Sequence, residues 1–342
     1  MRIRILGAGI VGLACADELM RRGHDVRLVD PAPASGASHA AAGMLSPSSE
    51  VWHGEAALLS LGLRSLDLWP ALASRLGVPL HATGTLLVGY DHGDLQQVER
   101  QAALLAAHGR AVDVLAAPEL HALEPRLSPR VLGGALLAED HSVDPRAVTA
   151  ALLRKFDGLV EFSAPEIATN PSNFTGYDAT VVATGARLPE PFAHLVRPVR
   201  GEIVRAQTDD PPARTVRGWV RGEAVYVVPR ASGEVVIGAT SEEHDAPAFP
   251  TVGGVARLLD AARELLPGLE RAELVEAIAR DRPATADHLP LIGPTHVPGV
   301  LLAAGHHRHG VLLAPLTAQL IANHLETGSV ERSVDPRRSS AW

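Results

Sequence analysis

The chain has one cysteine, one lysine and few aromatic rings among its 342 residues. Cys15 alone cannot close an internal disulfide or supply a Cys-rich zinc or iron–sulfur site. Aromatic residues make up 4% of the chain, too few for rows of base-stacking rings. Positive charge is also short. The 31 Lys and Arg, of which only Lys155 is lysine, face 39 Asp and Glu, for a net charge of −8. With no polycationic surface to neutralise phosphates, nucleic acid is excluded as a partner. Long hydrophobic runs are missing too. The longest charge-free stretches, 31–49 and 288–307, are broken by Pro, Gly, Ser or His, so neither reads as a membrane-spanning helix. Met1-Arg2-Ile3-Arg4 followed by Ile5 to Ala16 has the outline of a secretory leader. A strand entering a glycine turn has the same outline, and we expect a soluble, cytoplasmic protein with no membrane partner.

What remains is globular composition, 46% apolar and 20% charged, in a chain long enough for two domains. Arg2 to Leu6 is a strand candidate that runs straight into Gly7-Ala8-Gly9-Ile10-Val11-Gly12. Leu13, Ala16, Leu19 and Met20 then recur at helical spacing up to Gly23, and Val26 to Val29 forms a second strand closed by Asp30. A glycine fingerprint is weak alone, but here it has strand, turn, helix, strand and terminal acid in order. Gly7 allows the tight turn, Gly9 lets a pyrophosphate approach, and Gly12 brings the helix against the sheet. The helix N-terminus offers free N–H groups and a positive dipole end to the phosphates. Asp30 stands where a carboxylate accepts from an unphosphorylated ribose. A dinucleotide is expected here, and the turn alone does not separate NAD from FAD. Cys15, inside that helix, reads as a small buried apolar residue.

Further elements are coarser. Val255 to Leu266 is an amphipathic helix ended by Pro267-Gly268, and Glu99 to His108 is another, stopped by Gly109. Ala224 to Val228 and Glu234 to Ile237 are strands around the turn Ala231-Ser232-Gly233. Val300 to Ala304 is a strand leading through Gly305–Gly310 into a helix carrying Leu313, Leu316, Leu320 and Ile321. Residues 331–342 lack an apolar pattern and read as a loose tail.

The loop Ser35-Gly36-Ala37-Ser38-His39-Ala40-Ala41-Ala42-Gly43-Met44-Leu45-Ser46-Pro47 is built of small, uncharged residues suited to packing on a flat ligand. Its AAAGML segment resembles the flavin loop of the glycine oxidase branch of the D-amino-acid oxidase superfamily. The resemblance continues in order through Val143-Asp144-Pro145, Val181-Val182-Ala183-Thr184-Gly185, Pro198-Val199-Arg200-Gly201-Glu202, Tyr226-Val227-Val228-Pro229-Arg230 and Gly238-Ala239-Thr240. It ends with Arg282-Pro283-Ala284-Thr285, Asp287, Pro290-Leu291-Ile292-Gly293 and the run Ala303 to Pro315.

That resemblance implies an α/β (α+β) fold: a Rossmann-like FAD-binding domain and a second, mainly antiparallel-sheet substrate domain. The first would be discontinuous, from residues 1–76, 145–195 and 281–330, and the second from 77–144 and 196–280. It implies flavin contacts from Gly7, Gly9, Ile10, Val11, Gly12, Asp30, Pro31, Ala37, Ser38, Ala42, Gly43, Met44, Glu166 and Gly185. To these it adds His306, His307, Arg308, His309, Gly310, Val311 and Leu312, with FAD held non-covalently and no metal. Amide groups at the start of the last helix would steady negative charge on the reduced flavin ring. Among substrate contacts, Arg282 would grip a carboxylate with its two-pronged guanidinium. Arg308 would be a second substrate arginine, and Tyr226 a pocket phenol on that carboxylate. Ser241 would line the pocket, and Glu50 would serve an entrance lid or meet the amine. No side chain is assigned a catalytic role, because the hydride passes to flavin N5. Ala224 and Ser241 stand where family members carry histidine and methionine, which widens the expected pocket.

The activity implied is oxidation of glycine, sarcosine or D-alanine to imine and oxo acid, with ammonia and hydrogen peroxide released. Molecular oxygen would be the acceptor, and the imine would be handed to thiazole synthase for thiamine synthesis. The alternatives are a D-amino-acid oxidase or dehydrogenase with another acceptor, and a non-catalytic flavoprotein. A flavin disulfide reductase is excluded by the single cysteine. A homo-oligomer stays open.

Overall fold

A computed structural model describes residues 1–110, 112–164, 176–244 and 246–338. Its first sheet has six strands, in the spatial order Leu291–Pro294, Val300–Ala304, Ala179–Val182, Arg2–Leu6, Asp25–Val29 and Val160–Glu161. All neighbours are parallel except Leu291–Pro294 against Val300–Ala304. Ala179–Val182 and Val300–Ala304 read as nearly unbroken apolar runs because both faces are covered. On one face the helices Ile10–Arg21 and Gly310–Thr327 pack together, burying Leu13, Cys15, Ala318 and Ile321. On the other, Leu188, Phe192 and Leu195 cover Leu6, Val182 and Leu302. Among the described residues, no helix is long and apolar enough to cross a membrane.

The second sheet has eight strands: Glu273–Ala284, Arg197–Gln207, Glu234–Gly238, Glu223–Pro229, Thr215–Val220, Thr85–Gly89, Gly133–Leu137 and Val114–Ala116. Every pairing is antiparallel except Thr215–Val220 with Thr85–Gly89. One of its faces buries Val204, Val227 and Ile237 under the helix Val252–Leu265. Part of the other face forms the wall of a cavity shared with the first sheet. A third, short sheet joins Met44–Leu45, His141–Val143 and Leu80–His81.

Four sequence expectations need correction. The helix expected over Glu99–His108 is His92–Ala107, because a reciprocal capping box of Asp91 and Asp94 starts it seven residues upstream of the expected start. The helix expected from Val255 begins at Val252, where Thr251 Oγ1 accepts from Gly254 N at 3.0 Å. Residues 281–284, assigned to the nucleotide domain, are the end of the Glu273–Ala284 strand of the eight-stranded sheet. Finally, the tail is anchored as far as Arg338. Val334 is fully buried, and Arg338 reaches Asp287 at 3.0 Å and the Leu289 carbonyl at 2.8 Å. One apolar plug and one guanidinium leave no periodicity to read.

Candidate functional site

A cavity of about 620 Å³ runs from the Gly7–Gly12 turn to the eight-stranded sheet. At the turn, Gly7 has φ +101°, and a Cβ there would stand 2.3 Å from the Ala183 carbonyl oxygen. A Cβ on Gly12 would stand 2.0 Å from the Gly7 oxygen, so Gly12 closes the helix onto the turn from behind and does not line the cavity. Gly9, Ile10 and Val11 do line it. The N-cap residue of the Ile10–Arg21 helix, Gly9, has no side chain to cap it, and the first turn has no acid. Ser38 Oγ accepts from Ile10 N at 3.0 Å. The Asp30 carboxylate accepts from Ala8 N at 2.6 Å and from Ala32 N at 2.8 Å, which fixes it at the cavity edge beside Pro31.

The small-residue loop forms the middle of the wall, with Ala37, Ser38, Ala42, Gly43 and Met44 lining it opposite Gly185. Two arginines that sequence reasoning gave no role hold this loop. Arg146 Nε donates to the His39 carbonyl at 2.8 Å, and Arg230 Nη2 donates to the Ala42 carbonyl. Arg187 and Arg280 also line the cavity; Arg280 Nε donates to the Ser35 carbonyl at 2.9 Å. Glu166 lies outside the described residues.

At the sheet end, strand register decides which side chains meet. Arg217 stands opposite Tyr226, Trp219 opposite Ala224, and Tyr226 opposite Gly238. The Tyr226 ring crosses Gly238, where a Cβ would lie 2.4 Å from the phenol oxygen. Burial pushes that phenol up to about 12 against the pull of Arg282, so it stays a hydrogen-bond donor. Arg282 lies flat across Gly201, where a Cβ would be 2.3 Å from its Cζ. Its one hydrogen bond among the described residues runs from Nη1 to the Thr240 carbonyl at 3.1 Å. The remaining guanidinium donors border the cavity, with exposed Ser241 and Ala224 nearby.

Glu50 departs from its expected place on an entrance lid. It ends the short helix Pro47–Glu50, is 6% exposed, and its carboxylate is bound by Arg217 Nη1 at 3.0 Å. Burial pushes Glu50 up, but the guanidinium groups of Arg217 and Arg308 outweigh it and hold the carboxyl below its usual range. Arg308 donates to the Glu50 carbonyl at 2.9 Å and pairs with Glu55 at 3.3 Å. In the turn before the Gly310–Thr327 helix, burial drives His306 and His307 to about 3 and His309 to about 4, leaving all three neutral. His306, His307, Gly310 and Val311 reach the cavity. His309 and Leu312 stand behind its wall, where the Leu312 carbonyl accepts from Ser65 Oγ and Trp69 Nε1. Arg217, Trp219 and Trp52 are lining residues that the sequence reading missed. For the first two, the signal was an inward-facing i, i+2 pair one strand before Tyr226.

Residues 2–324 match the family described as DAO, FAD dependent oxidoreductase. The chain belongs to that family. It is 33% identical to a thiamine biosynthesis oxidoreductase of Rhizobium etli, with 97% of this chain and 99% of that protein covered. It is 32% identical to the bifunctional protein ThiO/ThiG of Trichormus variabilis over 98% of this chain; that alignment spans 53% of the longer protein. The crystal structure of glycine oxidase from Geobacillus kaustophilus superimposes with a TM-score of 0.85 at 30% identity, covering 96% of each chain. This family member is an FAD-dependent oxidoreductase with the mixed α/β architecture of glycine oxidase.

The residues present fit the cofactor. Two helix N-termini open into the same cavity, those of Ile10–Arg21 and Gly310–Thr327; neither N-cap residue makes a side-chain bond and neither first turn carries an acid. Helix starts of this kind suit a pyrophosphate at one end and an electron-rich flavin ring at the other.

Proposed function

We propose that the chain oxidises glycine and small substituted glycines such as sarcosine and D-alanine, releasing peroxide and the imine, or the oxo acid with ammonia (methylamine from sarcosine). The six-stranded sheet and its helices would form the FAD domain, and the eight-stranded sheet the substrate domain. The observation that carries the reading is Arg282. It is a guanidinium without a carboxylate partner among the described residues, beside a free phenol, in a cavity that also receives the dinucleotide turn. When bound, FAD supplies the two-electron acceptor.

The chain's own work is then to bind and orient. Arg282 takes the carboxylate in a two-pronged contact and Tyr226 donates a further bond to it. With the carboxylate fixed, Cα is held at one place, and productive geometry follows from that constraint. The neutral histidines add no positive charge beside the amine. Ser241 and Ala224 leave room for a methyl group on nitrogen or Cα. Oxygen as acceptor and hand-over to a thiazole synthase belong to the same proposal; the bifunctional and thiamine-biosynthesis relatives support the latter.

Anaerobic bleaching of the flavin across a panel of small amino acids tests the reading, with a peroxide assay beside an artificial acceptor. Failure to bleach with any of glycine, sarcosine or D-alanine would sink it. Bleaching by large D-amino acids in preference to glycine would favour a broad D-amino-acid oxidase or dehydrogenase. We further expect FAD to be non-covalent, so acid precipitation should leave a colourless pellet; a yellow pellet would show a covalent link.

A further inference from the structure

Five arginines line the cavity: Arg217, Arg282 and Arg308 stand at the sheet end, Arg280 is turned to the Ser35 carbonyl of the small-residue loop, and Arg187 follows Gly185. Two of the three at the sheet end already have carboxylate partners. Arg217 Nη1 lies 3.0 Å from Glu50 Oε1, and Arg308 Nη2 lies 3.3 Å from Glu55 Oε2. The neighbouring histidines are neutral, His307 at about 3 and His309 at about 4. Three arginines against two glutamates leave one positive charge, which a single substrate carboxylate cancels.

Glu50 is buried beside Arg217, Arg308 and His309. Its carbonyl is held by Arg308 at 2.9 Å, and its second carboxylate oxygen lies 3.5 Å from His309 Nδ1. Arg217 is fixed in turn by its place on the Thr215–Val220 strand, directly opposite Tyr226. Asp140, buried nearby, contributes no cation. A second carboxylate entering on the Arg217 side would therefore meet Glu50 with Arg217 already matched. Like charges in a buried cavity repel with little screening.

We propose that Glu50, by neutralising Arg217, is a specificity-determining residue that restricts this site to amines bearing one carboxylate. The proposal rests on Arg282 holding that first carboxylate. Glycine, sarcosine and D-alanine pass. N-carboxymethylglycine and D-aspartate, which carry an added carboxymethyl group on nitrogen or on the α-carbon, are rejected by a built-in repulsive element rather than by size.

The holoenzyme tests this through two matched pairs, sarcosine against N-carboxymethylglycine and D-alanine against D-aspartate. Wild type should favour the monocarboxylate of each pair by at least about tenfold in kcat/KM. Glu50→Gln should move at least one ratio toward the diacid by about tenfold or more, and adding Arg217→Met should cancel that movement. The pair that responds shows on which side the second carboxylate sits. Equal wild-type rates within both pairs, unmoved ratios in Glu50→Gln, or a gain that survives Arg217→Met would each overturn the assignment. If Glu50→Gln fails to hold flavin, wild-type flavin absorbance titrated with acetate and with malonate decides instead. Weaker malonate binding supports the proposal, and equal or tighter binding overturns it. Wild type inactive on every monocarboxylic amine would refute the underlying functional reading, a separate outcome from any of these.

Discussion

The two ends of the cavity are made of different material. The nucleotide end is backbone: Gly7, a helix with Gly9 at its N-cap and a loop of alanines, shaped by what is missing from the side chains. The sheet end is side chain: three arginines, a phenol and two carboxylates, drawn from positions between 50 and 308. Backbone amides recognise a cofactor through close approach, so a substitution there acts by filling space. Long charged side chains recognise a substrate through placement and pairing, so a substitution there acts by leaving a partner behind.

The sharpest break of this contrast is at Gly12. Gly12→Val would push a side chain into the Gly7 carbonyl, and we expect loss of bound FAD altogether with destabilisation of about 1–3 kcal/mol. Flavin content after purification and a denaturation curve check both; retained stoichiometric FAD would show that the turn is looser than its contacts. Arg282→Ala should do the reverse, keeping FAD while costing at least about 2–3 kcal/mol in kcat/KM. Arg282→Lys should recover only part, because an ammonium cannot reproduce the fork. Near-native kinetics in the alanine variant would place the carboxylate elsewhere.

Acidification sharpens the contrast at the junction of the two ends. His306, His307 and His309 sit near 3, 3 and 4 in the fold, against an ordinary 6.5. Between those values the unfolded chain binds more protons. Their stabilising effect is therefore complete above pH 6.5 and lost as pH falls below it, by up to about 1.4 kcal/mol per histidine per unit. Asp140, pushed up to about 7 by burial, acts oppositely and favours the fold as pH falls from 7 toward its ordinary 3.8. Three groups outweigh one, so the urea midpoint should drop between pH 7 and pH 5.5; an unchanged or higher midpoint would contradict this. The smallest effect is expected at Ser241→Met. Filling the open side of the pocket should narrow activity toward glycine by about 1 kcal/mol relative to D-alanine, read as a ratio of kcat/KM. An unchanged ratio would place the methyl group elsewhere.

How much was legible follows the same division. The first strand, its glycine turn and the acid at position 30 lie within thirty contiguous residues, and each has a local reason to be what it is. They could be read without any fold. Tyr226 and Arg282 were reached only through resemblance, since a lone arginine or tyrosine carries no local pattern. Arg217 was not reached at all, because only its register opposite Tyr226 and its distance to Glu50 give it meaning. Glu50 was reached through resemblance, as an entrance lid or an amine contact; the fold buries it at the end of a short helix that lines the cavity.

By itself, then, the order of amino acids determined the nucleotide-binding turn, the alternation of strands and helices around it, and the absence of disulfide, polycationic surface and membrane-length run. Tertiary structure alone decided which charges cancel. Whether an arginine is a substrate anchor or half of an ion pair depends on a carboxylate lying about 3 Å away, and for Arg217 that carboxylate comes from 167 residues distant. Local propensity acts over neighbours along the chain, whereas electrostatic pairing acts over neighbours in space. Arg282 and Arg217 are the same residue type on the same sheet. They differ because Glu50 folds against one and not the other.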